Sequence, residues 1–332
     1  MRAFPYPALL ADIGGTNARF VLITGEGSPP SQPVRLSTGG FPSFEAAAAE
    51  AIRLGGWPRP RSLLVGAAGA VNGRSAELTN ARWTLRHERL LDALDLEQGL
   101  LLNDFEVLSL ALPHFCAQDL LAIGDGAQEA GARLVIGPGT GLGVAALVEA
   151  GGRWLPLPSE GGHVGFPAET EQERAVFARL DTSGQRIQAE RVLAGPGLPA
   201  LHQAVAAVGG LSVPQWDSAA IVTAALSGAD VTARAAVHLQ IEMIARFAGD
   251  MALTFMARGG VFLAGGMLPR IRSLIDPRAF RARFARNDVH ADFLRRLPIW
   301  LIVAEEPAFV GLAALARRPQ AYWLDYENRL WR

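Results

Sequence analysis

Short apolar runs of three to five residues alternate along this chain with longer stretches in which apolar positions recur every three or four residues. The first pattern suits strands buried on both faces and the second suits amphipathic helices, so their alternation predicts an α/β protein. Strands are predicted at Ala8–Ala11, Phe20–Ile23, Leu63–Ala67, Leu100–Leu102, Leu134–Ile136, Val144–Val148, Val261–Ala264 and Ile299–Val303. Helices are predicted at Ser43–Leu54, Glu88–Leu94, Phe105–Leu112, Glu169–Leu180, Leu198–Val208, Ser218–Leu226, Thr232–Ala257 and Phe309–Ala316. Glycine, proline and serine crowd the segments Gly25–Pro33, Gly55–Pro60 and Gly209–Pro214, which predicts loops there.

Only the stretch Ala235–Ala257 raises the question of a membrane span. Within it Glu242, Arg246 and Asp250 recur every four residues and predict one charged stripe, with Ile241, Ile244, Ala245 and Ala248 facing inward. That is the pattern of a helix in a protein without a membrane partner. Leu9–Ile23 and Leu134–Val148 each read as strand, glycine-rich turn, strand, which fits either two similar lobes or simply two glycine hairpins.

The length of 332 residues supports two lobes, each large enough for its own core. Charged residues make up 19% of the chain, below the roughly 25% of average soluble proteins, and no lysine occurs, so all 31 basic residues are arginine. A Walker P-loop, a protein kinase and a Schiff-base enzyme each need a lysine and are excluded. The single Cys116 excludes an intramolecular disulfide and any multi-cysteine zinc or iron–sulfur site, and fits a reducing cytoplasm. Met1–Leu10 carries two prolines and no secretory pattern, so a cytoplasmic location is expected. A net charge of −1 gives no general pull toward nucleic acid or anionic lipid.

Five motifs could carry chemistry. In Asp12-Ile13-Gly14-Gly15-Thr16-Asn17 an apolar strand ends in a carboxylate before two glycines suited to a tight turn with positive φ. Such a turn is either an ordinary hairpin or a phosphate nest, beside which Asp12 makes sense if a cation such as Mg²⁺ bridges it to the phosphates. Gly137-Pro138-Gly139-Thr140-Gly141-Leu142-Gly143 is a second nest or a flexible turn, and Ala264-Gly265-Gly266 ends a strand where a flat ligand could approach the backbone. Asn103-Asp104 closes one strand and opens a helix, so Asp104 is either a helix N-cap or a proton acceptor in the crevice at a strand's carboxyl end, its pKa kept low by the helix. Glu160, His163 and Glu190 offer hydrogen-bond partners for the vicinal hydroxyls of a sugar, with a metal site as the rival reading.

In series, from Asp12 through Leu142, Glu160-Gly161-Gly162-His163-Val164, Glu190-Arg191-Val192-Leu193 and Ala264-Gly265-Gly266, these segments resemble the bacterial glucokinase family. The resemblance implies a two-lobe actin-like, ribonuclease-H-like fold with a mixed sheet in each lobe. The small lobe is expected to comprise 1–113 plus about 305–332 and the large lobe 114–304, with the active site in a cleft between them. It further implies transfer of the γ-phosphoryl group of ATP to the 6-hydroxyl of D-glucose with Mg²⁺, while a kinase for another hexose or a sugar-sensing regulator stays open.

By position, Asp104 is the implied base, and Asn80, Asn103, Asp104, Glu160, His163 and Glu190 the sugar-binding set. Ala11, Asp12, Ile13, Gly14, Gly15, Thr16, Asn17, Gly137, Gly139, Thr140, Gly141, Gly265 and Gly266 would line the nucleotide, with Asp12 reaching Mg²⁺ through water. No nucleic-acid or membrane partner is implied, and a homodimer is compatible with the resemblance. The chain departs from the family at Ala70, Pro138 and Gly165, and lacks the Cys-rich motif of related zinc-binding families, so no zinc is expected. The tail Pro319–Arg332 has no assigned role.

Overall fold

The computed structural model describes residues 4–72, 74–78, 83–180 and 184–332. Asn80 and the rest of Thr79–Arg82 lie outside the described residues. The backbone forms two units, one of Met1–Cys116, Ala145–Pro158 and Ala304–Arg332, the other of Ala117–Val144 and Ser159–Val303. The sequence reading keeps 114–304 together, whereas Ala145–Pro158 groups with the first unit. The reason is its contact with the C-terminal tail: Trp323 N–H donates to the Trp154 carbonyl at 2.7 Å, and the Arg153 guanidinium lies 3.7 Å over the Trp323 ring.

In chain order the strands are β1 (Ala8–Ile13), β2 (Asn17–Ile23), β3 (Val34–Ser37), β4 (Ser62–Ala67), β5 (Gly69–Val71), β6 (Ser75–Leu78), β7 (Thr84–Arg86) and β8 (Gln98–Asn103). They continue as β9 (Leu120–Ala122), β10 (Arg133–Pro138), β11 (Leu142–Ala150), β12 (Arg153–Ser159), β13 (Val261–Leu263), β14 (Ile299–Ile302) and β15 (Leu330–Trp331). One sheet has the order β15-β8-β4-β1-β2-β3 and the other β12-β11-β10-β13-β14-β9, with β5, β6 and β7 in a small third sheet. Both large sheets are mixed: β1, β3, β4 and β8 run in one direction with β2 and β15 opposed, and β10, β13 and β14 run parallel with β9 antiparallel. Numbered within each half, five strands follow the same order 3-2-1-4-5. The repeated strand–turn–strand signal therefore marks two similarly built sheets rather than two unrelated hairpins.

All eight predicted strands and all eight predicted helices have counterparts. Each unit has a core of its own. Leu9, Ile13, Phe20, Phe44, Leu63 and Trp83 belong to the first, and Ile136, Val144, Leu193, Ile244, Phe247 and Leu263 to the second. Helices start where short polar side chains can take an orphan N–H: Ser43 accepts from Ala46, Asp217 from Ala220 and Asp230 from Ala233.

The helix Val231–Thr254 corrects one expectation. Ile241, Ile244, Ala245 and Ala248 are buried as expected, but Arg246 is buried too, so the charged stripe is broken. Its guanidinium donates to Glu173 at 3.2 Å and to the Pro167 carbonyl at 3.0 Å, and stacks 3.8 Å over Phe166. Glu173 is itself buried and also paired with Arg283, so the cluster neutralises charge that burial would otherwise penalise. Among the described residues no single helix is long and apolar enough to cross a membrane; only the pair Ser218–Ser227 and Val231–Thr254, bent by 105°, passes together by composition.

Where the helix Pro307–Arg317 crosses Asp104–Ala111, Gly311 is the contact point, and a Cβ there would collide with the Val107 carbonyl oxygen. Gly311→Ala is expected to lower stability by about 1–3 kcal/mol, despite the roughly 1 kcal/mol by which alanine favours a helix interior over glycine, as read by urea unfolding.

Candidate active site

In the first unit the parallel strands bring the motif residues to one sheet edge. Ile13, Ala67 and Asn103 align across β1, β4 and β8, as do Asp12, Gly66 and Leu102. Two strand spacings, about 10 Å, therefore separate the last residues of β1 and β8. The first glycine turn closes with the Gly14 N–H donating to the Asn17 carbonyl at 2.9 Å, and Thr38 binds it from β3's end, its hydroxyl donating to Gly15 O at 2.8 Å and its N–H to Thr16 O at 3.0 Å. Thr16 and Asn17 are exposed at the tip. Ala11 and Ile13, expected to touch nucleotide, are instead fully buried between β2 and β4 and support the turn from below.

Asp12 faces Arg19 directly across the hairpin, and Arg19 Nη1 donates to Asp12 Oδ2 at 2.9 Å. Glu306 extends the network, 3.6 Å from Arg19 Nε, and also pairs with Arg35 at 2.6 Å. Burial pushes the Asp12 pKa above the ordinary carboxylate value, Arg19 pulls it back, and Glu306 adds to the rise. Arg19 lies two residues beyond the motif in the sequence and is not singled out there. The cross-strand register of a short hairpin is the signal that would have found it.

The N-cap of the helix Asp104–Ala111 is Asn103, and Asp104 is its first residue, which corrects the expectation of an Asp104 cap. Asn103 Oδ1 accepts from the Phe105 and Glu106 N–H groups at 2.9 and 3.3 Å, Glu106 Oε2 accepts from the Asn103 N–H at 3.4 Å, and Asn103 Nδ2 donates to Gly69 O at 3.3 Å. The capping box thus leaves Asp104 out of the cap and held at the mouth of the helix. A second correction concerns its acidity. Burial first, then the charge of Asp12, push the Asp104 pKa up to about 7, and the hydrogen bond from Phe105 N–H at 3.0 Å does not offset them. Desolvation of a carboxylate outweighs the helix terminus here.

In the second unit Glu160, His163, Glu190 and the second glycine turn lie together. His163 Nε2 is 3.6 Å from Glu160 Oε2 and its Nδ1 is 3.2 Å from Gln188 Oε1, while Gly165 bridges to Gln188. Glu190 Oε2 accepts from the Leu142 N–H at 2.8 Å, tying this carboxylate to the base of the turn. Glu160 and His163 are exposed and retain free faces. Gln188, not singled out from the sequence, is positioned by the same strand-like pairing two residues before Glu190. Gly137 is not in the turn but buried in β10 together with Pro138, so the exposed part is Gly139-Thr140-Gly141, closed by Gly139 N–H donating to Gly141 O at 2.8 Å.

Two kinds of glycine line these turns. Gly265 has φ +90° and a Cβ there would collide with the Pro138 carbonyl oxygen; one at Gly141 would stand 2.8 Å from Glu190 Oε2. Gly14, Gly139 and Gly266 differ: none has positive φ, contrary to the expected left-handed turn at Gly14, and a Cβ would meet nothing within 3.6, 4.0 and 4 Å respectively. Neither strain nor packing requires glycine at these three positions. Open space next to exposed backbone is what close approach of a ligand needs.

Among the described residues no group of three His, Cys, Asp or Glu side chains could hold a metal ion. One carboxylate, Asp12, beside a glycine turn does fit Mg²⁺, which keeps several waters and is bound through one or two carboxylates and substrate phosphates.

Two mixed sheets of matching order, each ending its first parallel strand in a glycine turn, define an α/β protein of the actin-like sugar-kinase class. The glucokinase family model matches residues 9–319, and the chain belongs to that family. It is 42% identical to the glucokinase of Sinorhizobium medicae strain WSM419, over 100% of this chain and 98% of the relative. A solved glucokinase from an Antarctic psychrotroph superposes with a TM-score of 0.83 at 29% identity, covering 94% of this chain and 98% of that one. A ROK family glucokinase from Streptomyces griseus, solved with glucose and AMPPNP, shares the fold at a TM-score of 0.62 and 21% identity, over 94% and 99% of the two chains.

The contrast between the glycines is measurable without any ligand. Gly265→Ala is expected to cost about 1–3 kcal/mol of stability through strain and overlap, and Gly139→Ala to stay within about 0.5 kcal/mol of the parent, both read by urea unfolding.

Proposed function

We propose that this chain transfers the γ-phosphoryl group of ATP to the 6-hydroxyl of D-glucose, drawing on the cytoplasmic ATP pool. The observation that carries this reading is Asp104, fixed by a capping box at the carboxyl end of β8, two strands from the glycine turn that follows Asp12. A carboxylate with a pKa of about 7 is half ionised at neutral pH and matched to accepting a hydroxyl proton as the oxygen attacks phosphorus. Glu160, His163 and Glu190 supply acceptors and a donor for the sugar's remaining hydroxyls. Asn103 keeps one amide hydrogen beyond its bond to Gly69 for the same purpose.

On the family resemblance, Gly14, Gly15, Thr16 and Asn17, and likewise Gly139, Thr140 and Gly141, would offer backbone N–H groups to the phosphates. Gly265 and Gly266 leave room for the adenosine. Mg²⁺ supplies charge neutralisation at the phosphates when bound, and Asp12 would hold it through water. Because the chain has no lysine, backbone donors and arginine carry the remaining charge stabilisation.

An ADP-release assay with Mg-ATP across glucose, mannose, fructose and N-acetylglucosamine is expected to give the highest kcat/KM with glucose. Glucose binding without ADP release from any hexose would overturn the reading in favour of a sugar sensor. Asp104→Asn should lower kcat by about 10²- to 10⁴-fold. Since only ionised Asp104 accepts the proton, kcat/KM should fall tenfold per unit below about pH 7 and level off above it.

A further inference from the structure

The tail beyond Pro319 reaches back to the helix that carries Asp104. Its last strand, β15, pairs antiparallel with β8, Leu330 opposite Leu100 and Trp331 opposite Gly99, and Trp331 fills the space a side chain at 99 would take. Immediately before it, Arg329 Nη1 and Nη2 donate to Glu106 Oε1 and Oε2, both at 2.7 Å, and Nη2 also donates to the Leu101 carbonyl at 3.2 Å. Glu106 is buried, its side chain 4% exposed, and it is the carboxylate that closes the capping box on the Asn103 N–H.

We propose that Arg329 is a positioning residue for the phosphoryl-transfer reaction: its fork on Glu106 locks the Asn103–Glu106 capping box and thereby fixes Asp104, which lies between them. The inference rests on the reading of Asp104 as the base. Without Arg329 a buried carboxylate is left unpaired, and it must either take up a proton or turn out toward water. Both outcomes loosen the bond to the Asn103 N–H and the first turn of the helix. While the guanidinium is present, Glu106 is neutralised in place, and Asp12 is the charge that bears on Asp104. The tail itself is anchored separately by β15, Trp331 and the bond from Arg74 Nε to the Asn328 carbonyl at 3.1 Å, so a change at 329 need not undock it.

The test compares Arg329→Met, Arg329→Lys and the double variant Arg329→Met/Glu106→Gln with the parent. Arg329→Met is expected to lower kcat about 10- to 100-fold with a smaller change in KM for glucose, since small displacements of a reacting group cost that much. It should also move the acid limb of kcat/KM to higher pH, because a loosened first turn weakens the N–H bond that favours ionised Asp104. The double variant should return that limb toward the parent, and Arg329→Lys, a charge without the fork, should recover part of kcat.

Carboxyl ¹³C titration of Asp104 in the substrate-free protein, assigned with Asp104→Asn, reads the same shift whether or not glucose is the substrate. A parent that releases no ADP would overturn the proposed function, while the titration would still decide the role of Arg329. Parental kcat and an unmoved Asp104 titration in Arg329→Met, with only a lower melting temperature, would overturn the inference. If Arg329→Met does not fold, Arg329→Lys with parental kcat and titration would do the same.

Discussion

Two carboxylates at one edge of a sheet set the terms for the first unit. The register of β1, β4 and β8 places Asp12 and Asp104 at strand ends two strands apart, where burial opposes the ionisation of both, Glu306 adds to the rise at Asp12 and Asp12 adds to the rise at Asp104. The surroundings answer that tension unequally. Asp12 has a guanidinium at 2.9 Å, whereas Asp104 has only backbone N–H groups and the neighbouring Asn103, and its pKa settles near 7. A carboxylate held by an arginine and one without such a partner thus sit in different environments, which is how nearby carboxylates come to differ in acidity.

The glycine turns follow a related logic in both units. Each begins at the carboxyl end of a central parallel strand, where neighbouring strands leave room above the sheet. At Gly265 and Gly141 the fold itself consumes that room, against Pro138 and Glu190. At Gly14, Gly139 and Gly266 it does not, and the missing side chains matter only to a molecule that comes close to the backbone. Glu190 links the two roles, since the carboxylate assigned to the sugar also receives the first N–H after the second turn.

The central elements were legible because they are buried on both faces or strictly periodic: β4 is buried at every position, and the helix Leu198–Val208 matches its pattern end to end. What escaped lies at edges of the large sheets or in the small third sheet. β3, β9 and β15 are short or half-exposed, so they show no apolar run, and β15 exists only through pairing with β8. At the site, residue types and strand ends announced Asp12, Asp104 and the glycine turns, but acidity depends on what surrounds a group in space. A helix N-terminus suggested a low pKa for Asp104; burial first, and then the charge of Asp12 two strands away, reversed it. Arg246 shows the same limit, since four-residue spacing reads as a solvent stripe unless the buried Glu173 opposite it is known.

The absence of lysine takes on structural meaning in this setting. The buried carboxylates Glu106 and Glu173 are held by guanidinium groups, Glu106 by both arms of Arg329 and Glu173 by Arg246 and Arg283 together. A planar fork can satisfy two carboxylate oxygens and still donate to a carbonyl, as Arg329 does to Leu101 and Arg246 does to Pro167. An ammonium is a point charge, more strongly hydrated and costlier to bury, and it cannot grip both oxygens of Glu106 in one plane as the fork does. Arginine at these positions therefore does more than supply charge: it fixes the direction of a buried carboxylate. In the first unit that direction is handed on, through the Asn103 N–H, to the helix turn on which Asp104 stands.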